Sequence, residues 1–150
     1  MNSMKVMVVS PEASGSKWVA RLLQEHPSIT EVRHASYPEN AGRYRRWPDI
    51  AKEKPDAVVV CCRDETITQR SQQRAGHDKL KPPGSVVGSV VRISGQLRKW
   101  DGPVAIIGYE SLVQWPEQVL RQVFWLLGVN PGLYDYSAVK IVDGNWKYVK

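Results

Sequence analysis

Lys5–Leu23, KVMVVSPEASGSKWVARLL, decides how this chain is read. Lys5–Ser10 is an apolar run of strand length, Pro11–Gly15 is a loop of mostly small residues, and from Ser16 onward Trp18, Val19, Leu22 and Leu23 recur at helical spacing. Such a strand–loop–helix unit aims the unpaired N–H groups of a first helical turn, at the positive end of the helix dipole, toward one point in space. Small side chains at Ser14, Gly15 and Ser16 let an anion approach the backbone, and the two hydroxyls add donors. The segment predicts a phosphate-binding turn after the first strand.

Working outward, three more strand-like segments stand out: Thr30–Ala35, Ala57–Arg63 and Val104–Tyr109. The first, third and fourth runs are continuously apolar rather than alternating, as in parallel strands covered on both faces. Helical stretches lie between them, over Ser16–Glu25, around Pro48–Lys54, over Glu65–Arg74 and roughly over Ser85–Trp100. A last helix starts at Pro116 and stops at Gly128, with Val119, Leu120, Val123, Leu126 and Leu127 on its apolar face. Alternating strands and helices imply a parallel α/β sheet, whose ligands collect outside the carboxyl ends of the strands. The residues expected there are Ser10, His34, Arg63 and Tyr109.

At 150 residues the chain reads as one domain spanning 1–150, with the basic, proline-rich stretch 76–84 as a candidate mobile loop. No apolar run is long enough to span a bilayer, and the opening MNSMKVMVVS does not read as a signal peptide. Cys61 and Cys62 are adjacent, which excludes an ordinary intrachain bridge and makes a poor metal site; buried thiols suit a reducing cytoplasm. The net charge of +6 suits either nucleic acid or a small polyanionic ligand. The basic residues are spread along the chain, and no helix carries a basic stripe interleaved with exposed aromatics, so the small ligand is the stronger reading.

The loop is not a Walker A sequence, because Trp18 stands where a magnesium-binding hydroxyl would be needed. It resembles instead the first loop of the sulfotransferases that use 3′-phosphoadenosine 5′-phosphosulfate (PAPS), which typically reads Pro-x-Ser-Gly-Thr-Thr-Trp-Leu. Pro11, Ser14, Gly15, Ser16 and Trp18 form a variant, PEASGSKW, with one extra residue after the proline. The family's next signature, a strand ending in Arg with Ser eight positions later, is matched by Arg63 and Ser71. A third match covers Tyr109, Glu110, Leu112, Pro116, Glu117, Leu127 and Gly128, and the tail VDGNWKYVK is loosely similar to the family's late cofactor loop. The middle of the chain, 76–99, matches nothing specific.

This resemblance implies a three-layer α/β/α fold with a central, mainly parallel sheet of four to five strands. It implies a nucleotide co-substrate, PAPS (leaving as PAP), no required metal, and an acceptor hydroxyl or amine that the sequence does not identify. Pro11, Ser14, Gly15, Ser16, Lys17 and Trp18 would hold the 5′ side of the nucleotide, and Arg63 and Ser71 the 3′-phosphate, with Asn145 and Lys147 beside them. The family's usual cation before Ser-Gly is Ala13 here, so Lys17 is the substitute candidate for charge neutralisation. His34 is the candidate base, since an ordinary imidazole titrates near neutrality, and Glu39 is the alternative. His26 and His77 receive no role. Two other readings stand beside the transferase: a P-loop kinase that uses magnesium and ATP, and a non-catalytic nucleotide-binding descendant, which Ala13 favours.

Overall fold

The computed structural model describes residues 3–11, 14–37, 49–74, 86–141 and 144–145. Four strands, β1 (Met4–Pro11), β2 (Ile29–Tyr37), β3 (Ala57–Cys62) and β4 (Val104–Gly108), form an all-parallel sheet in the order β2-β1-β3-β4. Helices α1 (Ser16–Gln24), α2 (Ile50–Glu53), α3 (Glu65–Arg74), α4 (Val86–Leu97), α5 (Tyr109–Gln114) and α6 (Pro116–Leu126) flank it. The stretch 76–84 lies outside the described residues.

Two apolar clusters on opposite faces hold the layers together. On β1, Val6 and Val8 join Val19, Leu22 and Leu23 of α1 and Leu120, Val123 and Phe124 of α6. The alternate residues Met7 and Val9 meet Ile50 of α2 and Ile93 of α4. On β3, Val59 and Cys61 face the first cluster, and Val58 and Val60 face the second. This is why both strands read as unbroken apolar runs: every second residue enters a different core. β4 departs from that expectation. Ala105 and Ile107 are buried, whereas Val104 and Ile106 lie open on the other face, Ile106 at 71% exposure. The fourth run is an edge strand covered on one side only.

Most strand and helix ends differ from the sequence reading by a residue or two, and three differences stand out. β2 runs on to Tyr37, two residues past the expected end, because from Glu31 onward it stays in register with β1 as far as Pro11. α4 ends at Leu97, ahead of Trp100. The segment after β4 is a six-residue helix, α5, which starts at Tyr109 and carries the buried Leu112. α6 begins with Pro116 in its first turn, and Gly128 beyond its end takes φ +76°.

His26 is a core residue. It is 1% exposed, its Nδ1 accepts from the Ser28 N–H at 3.1 Å, and its ring lies 4.5 Å from Phe124. Nε2 must therefore carry the proton, which it donates to the Asn130 carbonyl at 3.0 Å. Nδ1 thus closes the turn after α1, and Nε2 ties that turn to the one after α6.

Candidate functional site

The neighbours β1 and β3 send the chain in opposite directions, β1 to β2 and β3 to β4. In open α/β sheets the crevice outside such a switch point is where ligands collect. The small-residue turn leaves β1 there, and Arg63 directly follows β3.

Gly15 is the pivot of the turn. It takes φ +85°, where a side chain is strained, and its carbonyl accepts from the N–H groups of Trp18 and Val19 at 3.0 and 3.1 Å to start α1. The N–H groups of Ser16 and Lys17, ahead of the first of these bonds, have no intrahelical acceptor and are donors at the start of α1. Ser14 is buried, and its Oγ has no hydrogen-bond partner among the described residues. A buried hydroxyl without a partner at the mouth of a helix is the donor an incoming anion satisfies. The Cys61 thiol donates to the Ser14 carbonyl at 3.0 Å and pins the turn onto β3. Burial pushes this thiol up to about 12, so it acts as a fastener and not as a nucleophile.

Tyr109, just past β4, joins the two halves of the site. Its ring lies so close under Gly15 that a Cβ on the glycine would fall 2.6 Å from Cδ2. The edge of Trp18 meets the same ring at 5.4 Å between centroids, and the Arg63 guanidinium lies over it at 4.4 Å from the centroid. The turn and the arginine are thus held on one tyrosine. Arg63 Nε donates to Asn145 Oδ1 at 2.8 Å, Asn145 Nδ2 donates to Glu110 Oε1 at 2.9 Å, and the Gly144 N–H donates to Tyr109 Oη at 3.1 Å. Asp64, beside Arg63, uses its carboxylate to cap α3 through the Ile67 N–H at 3.0 Å.

Ser71 sits half-buried on the inward face of α3, on the same side as the buried Ile67 and Thr68. Lys17 is exposed at the start of α1. With Ala20, Arg21, Gln24, Val32 and His34 it lines an open groove between α1 and β2. His34 pairs with Val8, three residues inside β2, and not with the strand's carboxyl end as the sequence reading has it. At the usual rise per residue that is about 10 Å short of the edge. Pro11 is buried at the end of β1. Glu39 and Lys147, and also Ala13, lie outside the described residues. No group of three or more His, Cys, Asp or Glu side chains positioned to hold a metal ion occurs among the described residues. None of the helices searched among those residues is long and apolar enough to cross a membrane.

Sequence reasoning placed Tyr109 at a strand's carboxyl end and matched Tyr109 and Glu110 to the family pattern, but it gave neither a binding or catalytic role and treated Cys61 as a buried thiol only. The hydrogen-bond partners of the Tyr-Glu pair, Gly144, Asn145 and Asp64, lie 35 to 46 residues away along the chain. Packing residues and site residues look alike at such a position.

The arrangement defines a class: a three-layer α/β/α fold with a P-loop-like turn at the switch point of a parallel sheet. It is similar to the crystal structure of mouse sulfotransferase SULT7A1 complexed with PAP, with a TM-score of 0.61 and 16% identity over 97% of this chain. The chain spans 62% of the length of that protein. No protein-family model matches the chain, and no curated protein matches it by sequence. At this identity the likeness is one of fold.

Proposed function

We propose that this chain is a sulfotransferase that moves a sulfuryl group from PAPS to a hydroxyl or amine acceptor by in-line displacement. The observation that carries the reading is the shared tyrosine: Tyr109 holds the glycine turn and the Arg63 guanidinium together. A nucleotide with anionic groups at both its 5′ and 3′ positions needs two such anchors at once. PAPS supplies the activated sulfuryl group, with PAP as its leaving group. The first-turn amides of α1, with Ser14 and Ser16, hold the 5′ side, and the unpartnered Ser14 Oγ fits that role. Arg63 holds the 3′-phosphate, since a planar guanidinium suits bidentate phosphate binding, and Asn145 and Ser71 stand with it as candidates. Trp18 and Pro11 shape the wall of the same site. Lys17 neutralises charge in place of a cation at position 13, and His34, on the same groove, takes the acceptor proton.

The kinase alternative separates cleanly in a thermal-shift panel. PAP at a hundred times its dissociation constant should stabilise the fold by about 2.7 kcal/mol through mass action. For a chain of this size that is a rise of roughly 5–10 °C. Magnesium with ATP should give no comparable rise, and the reverse pattern would replace the transferase by a P-loop kinase. The non-catalytic alternative rests on Ala13: binding of PAP with no sulfuryl transfer to any member of a panel of sugars, phenols and amines would establish it.

A further inference from the structure

One carboxylate oxygen near the proposed anion site has a curious position. Glu110 Oε1 accepts from the Asp64 N–H at 3.1 Å and from Asn145 Nδ2 at 2.9 Å, while Asn145 Oδ1 accepts from Arg63 Nε at 2.8 Å. A negative charge here opposes anion binding by simple electrostatics, so its use must lie elsewhere. The network supplies one. An asparagine amide has a donor end and an acceptor end. With its NH2 on a carboxylate and its oxygen on a guanidinium, Asn145 has both ends matched. The flipped amide would set C=O against carboxylate and NH2 against N–H. Glu110 therefore dictates which end Arg63 meets. The Nε bond fixes the in-plane rotation of the guanidinium, and the Tyr109 ring fixes its face. Through the Asp64 N–H the same oxygen also fixes the backbone just beyond Arg63.

We propose that Glu110 is a positioning residue, acting through Asn145, that orients the Arg63 guanidinium for a phosphate. The proposal rests on the reading of Arg63 as the 3′-phosphate anchor. Its signature is a split between two substitutions. Glu110→Gln keeps an oxygen that accepts both bonds and removes the charge, whereas Glu110→Ala removes charge and acceptor together. Were Glu110 a purely electrostatic neighbour, both would tighten anion binding. Positioning requires opposite outcomes.

The experiment compares calorimetric affinities for PAP and for AMP, which lacks the 3′-phosphate. The ratio of the two isolates what Arg63 contributes. In Glu110→Ala the ratio should fall about tenfold, in Glu110→Gln it should stay at the wild-type value or rise, and adding Asn145→Ala to Glu110→Ala should cost little more. An unchanged or increased ratio in Glu110→Ala overturns the proposal. Asn145→Ala, expected to lower the ratio by a similar factor, takes over should Glu110→Ala not fold. The NMR signal of the Arg63 Nε–H, identified by its loss in Arg63→Lys, keeps the inference separate from the proposed function. If wild type binds neither nucleotide, that function fails. The relay then stands if this signal is protected from exchange in wild type and Glu110→Gln but not in Glu110→Ala, and falls if Glu110→Ala leaves it protected.

Discussion

Gly15→Ala tests the join between turn and sheet at its tightest point. Two costs add. At φ +85° an alanine pays for the left-handed conformation, about 1–2 kcal/mol. Its Cβ would also fall 2.6 Å from Tyr109 Cδ2 and 2.9 Å from Cε2, so the ring must move. Overpacking of this kind costs about 1–3 kcal/mol. The stiffer unfolded chain returns about 0.4–1 kcal/mol. The net loss should be about 1–4.6 kcal/mol, or a fall of roughly 2–18 °C in Tm. Gly95 in α4 is the control, since a Cβ there has no heavy atom within 4 Å and the residue is exposed in a helix. Gly95→Ala should stabilise by about 0.5–1 kcal/mol. Urea unfolding of the three proteins gives both numbers. A loss below about 1 kcal/mol in Gly15→Ala, alongside the gain in Gly95→Ala, would refute the packing of the turn on Tyr109. Displacing that ring also shifts the stack beneath Arg63, so PAP binding should weaken in Gly15→Ala and remain in Gly95→Ala.

Alkaline pH should destabilise the fold in a set direction. Burial holds Cys61 protonated to about 12, while in the unfolded chain it ionises near 9, so its contribution is complete below pH 9 and drains away as pH rises toward 12. The raised Cys62 and Tyr134 act with the same sign. Urea midpoints between about pH 8 and 10.5 should fall with a slope of up to about 1.4 kcal/mol per pH unit per group, and Cys61→Ala should flatten it; an equal slope in the variant would contradict the burial of this thiol. His26→Ala should cost about 2–4 kcal/mol, since it empties a core position and strands the Ser28 N–H and the Asn130 carbonyl; denaturation showing less than about 1 kcal/mol would disprove that role. His34→Ala should leave PAP affinity within about twofold and cut sulfuryl transfer by roughly a hundredfold or more, and retained transfer would move the base elsewhere.

What the sequence disclosed follows from the range of the forces involved. β1 and β3 were legible because both cores draw on alternate residues of the same run, so Val6–Val9 and Ala57–Cys61 stay apolar without a break where both faces are covered. α1 was legible from its spacing and from Gly15, whose positive φ is a local demand. α5 was not, because six residues are too few to show a helical period. The exposure of Ile106 was equally hidden: an edge strand and a central one share composition, and only sheet order separates them. In the site, Gly15, Trp18 and Arg63 carried local motif signals. Tyr109 and Glu110 act through contacts with Gly144 and Asn145 from a distant part of the chain, and no periodicity reports a contact of that length. The displacement of His34 from the strand end has the same origin, since pairing with β1 sets where β2 stops.

The central claim is that the glycine turn and Arg63 grip one nucleotide by its two ends. Calorimetric titration of PAP into wild type and Arg63→Ala tests it directly. The account expects saturable one-to-one binding to wild type and a loss of about tenfold or more in Arg63→Ala, with AMP affinity little changed between the two proteins. Equal PAP affinity in both proteins would contradict it.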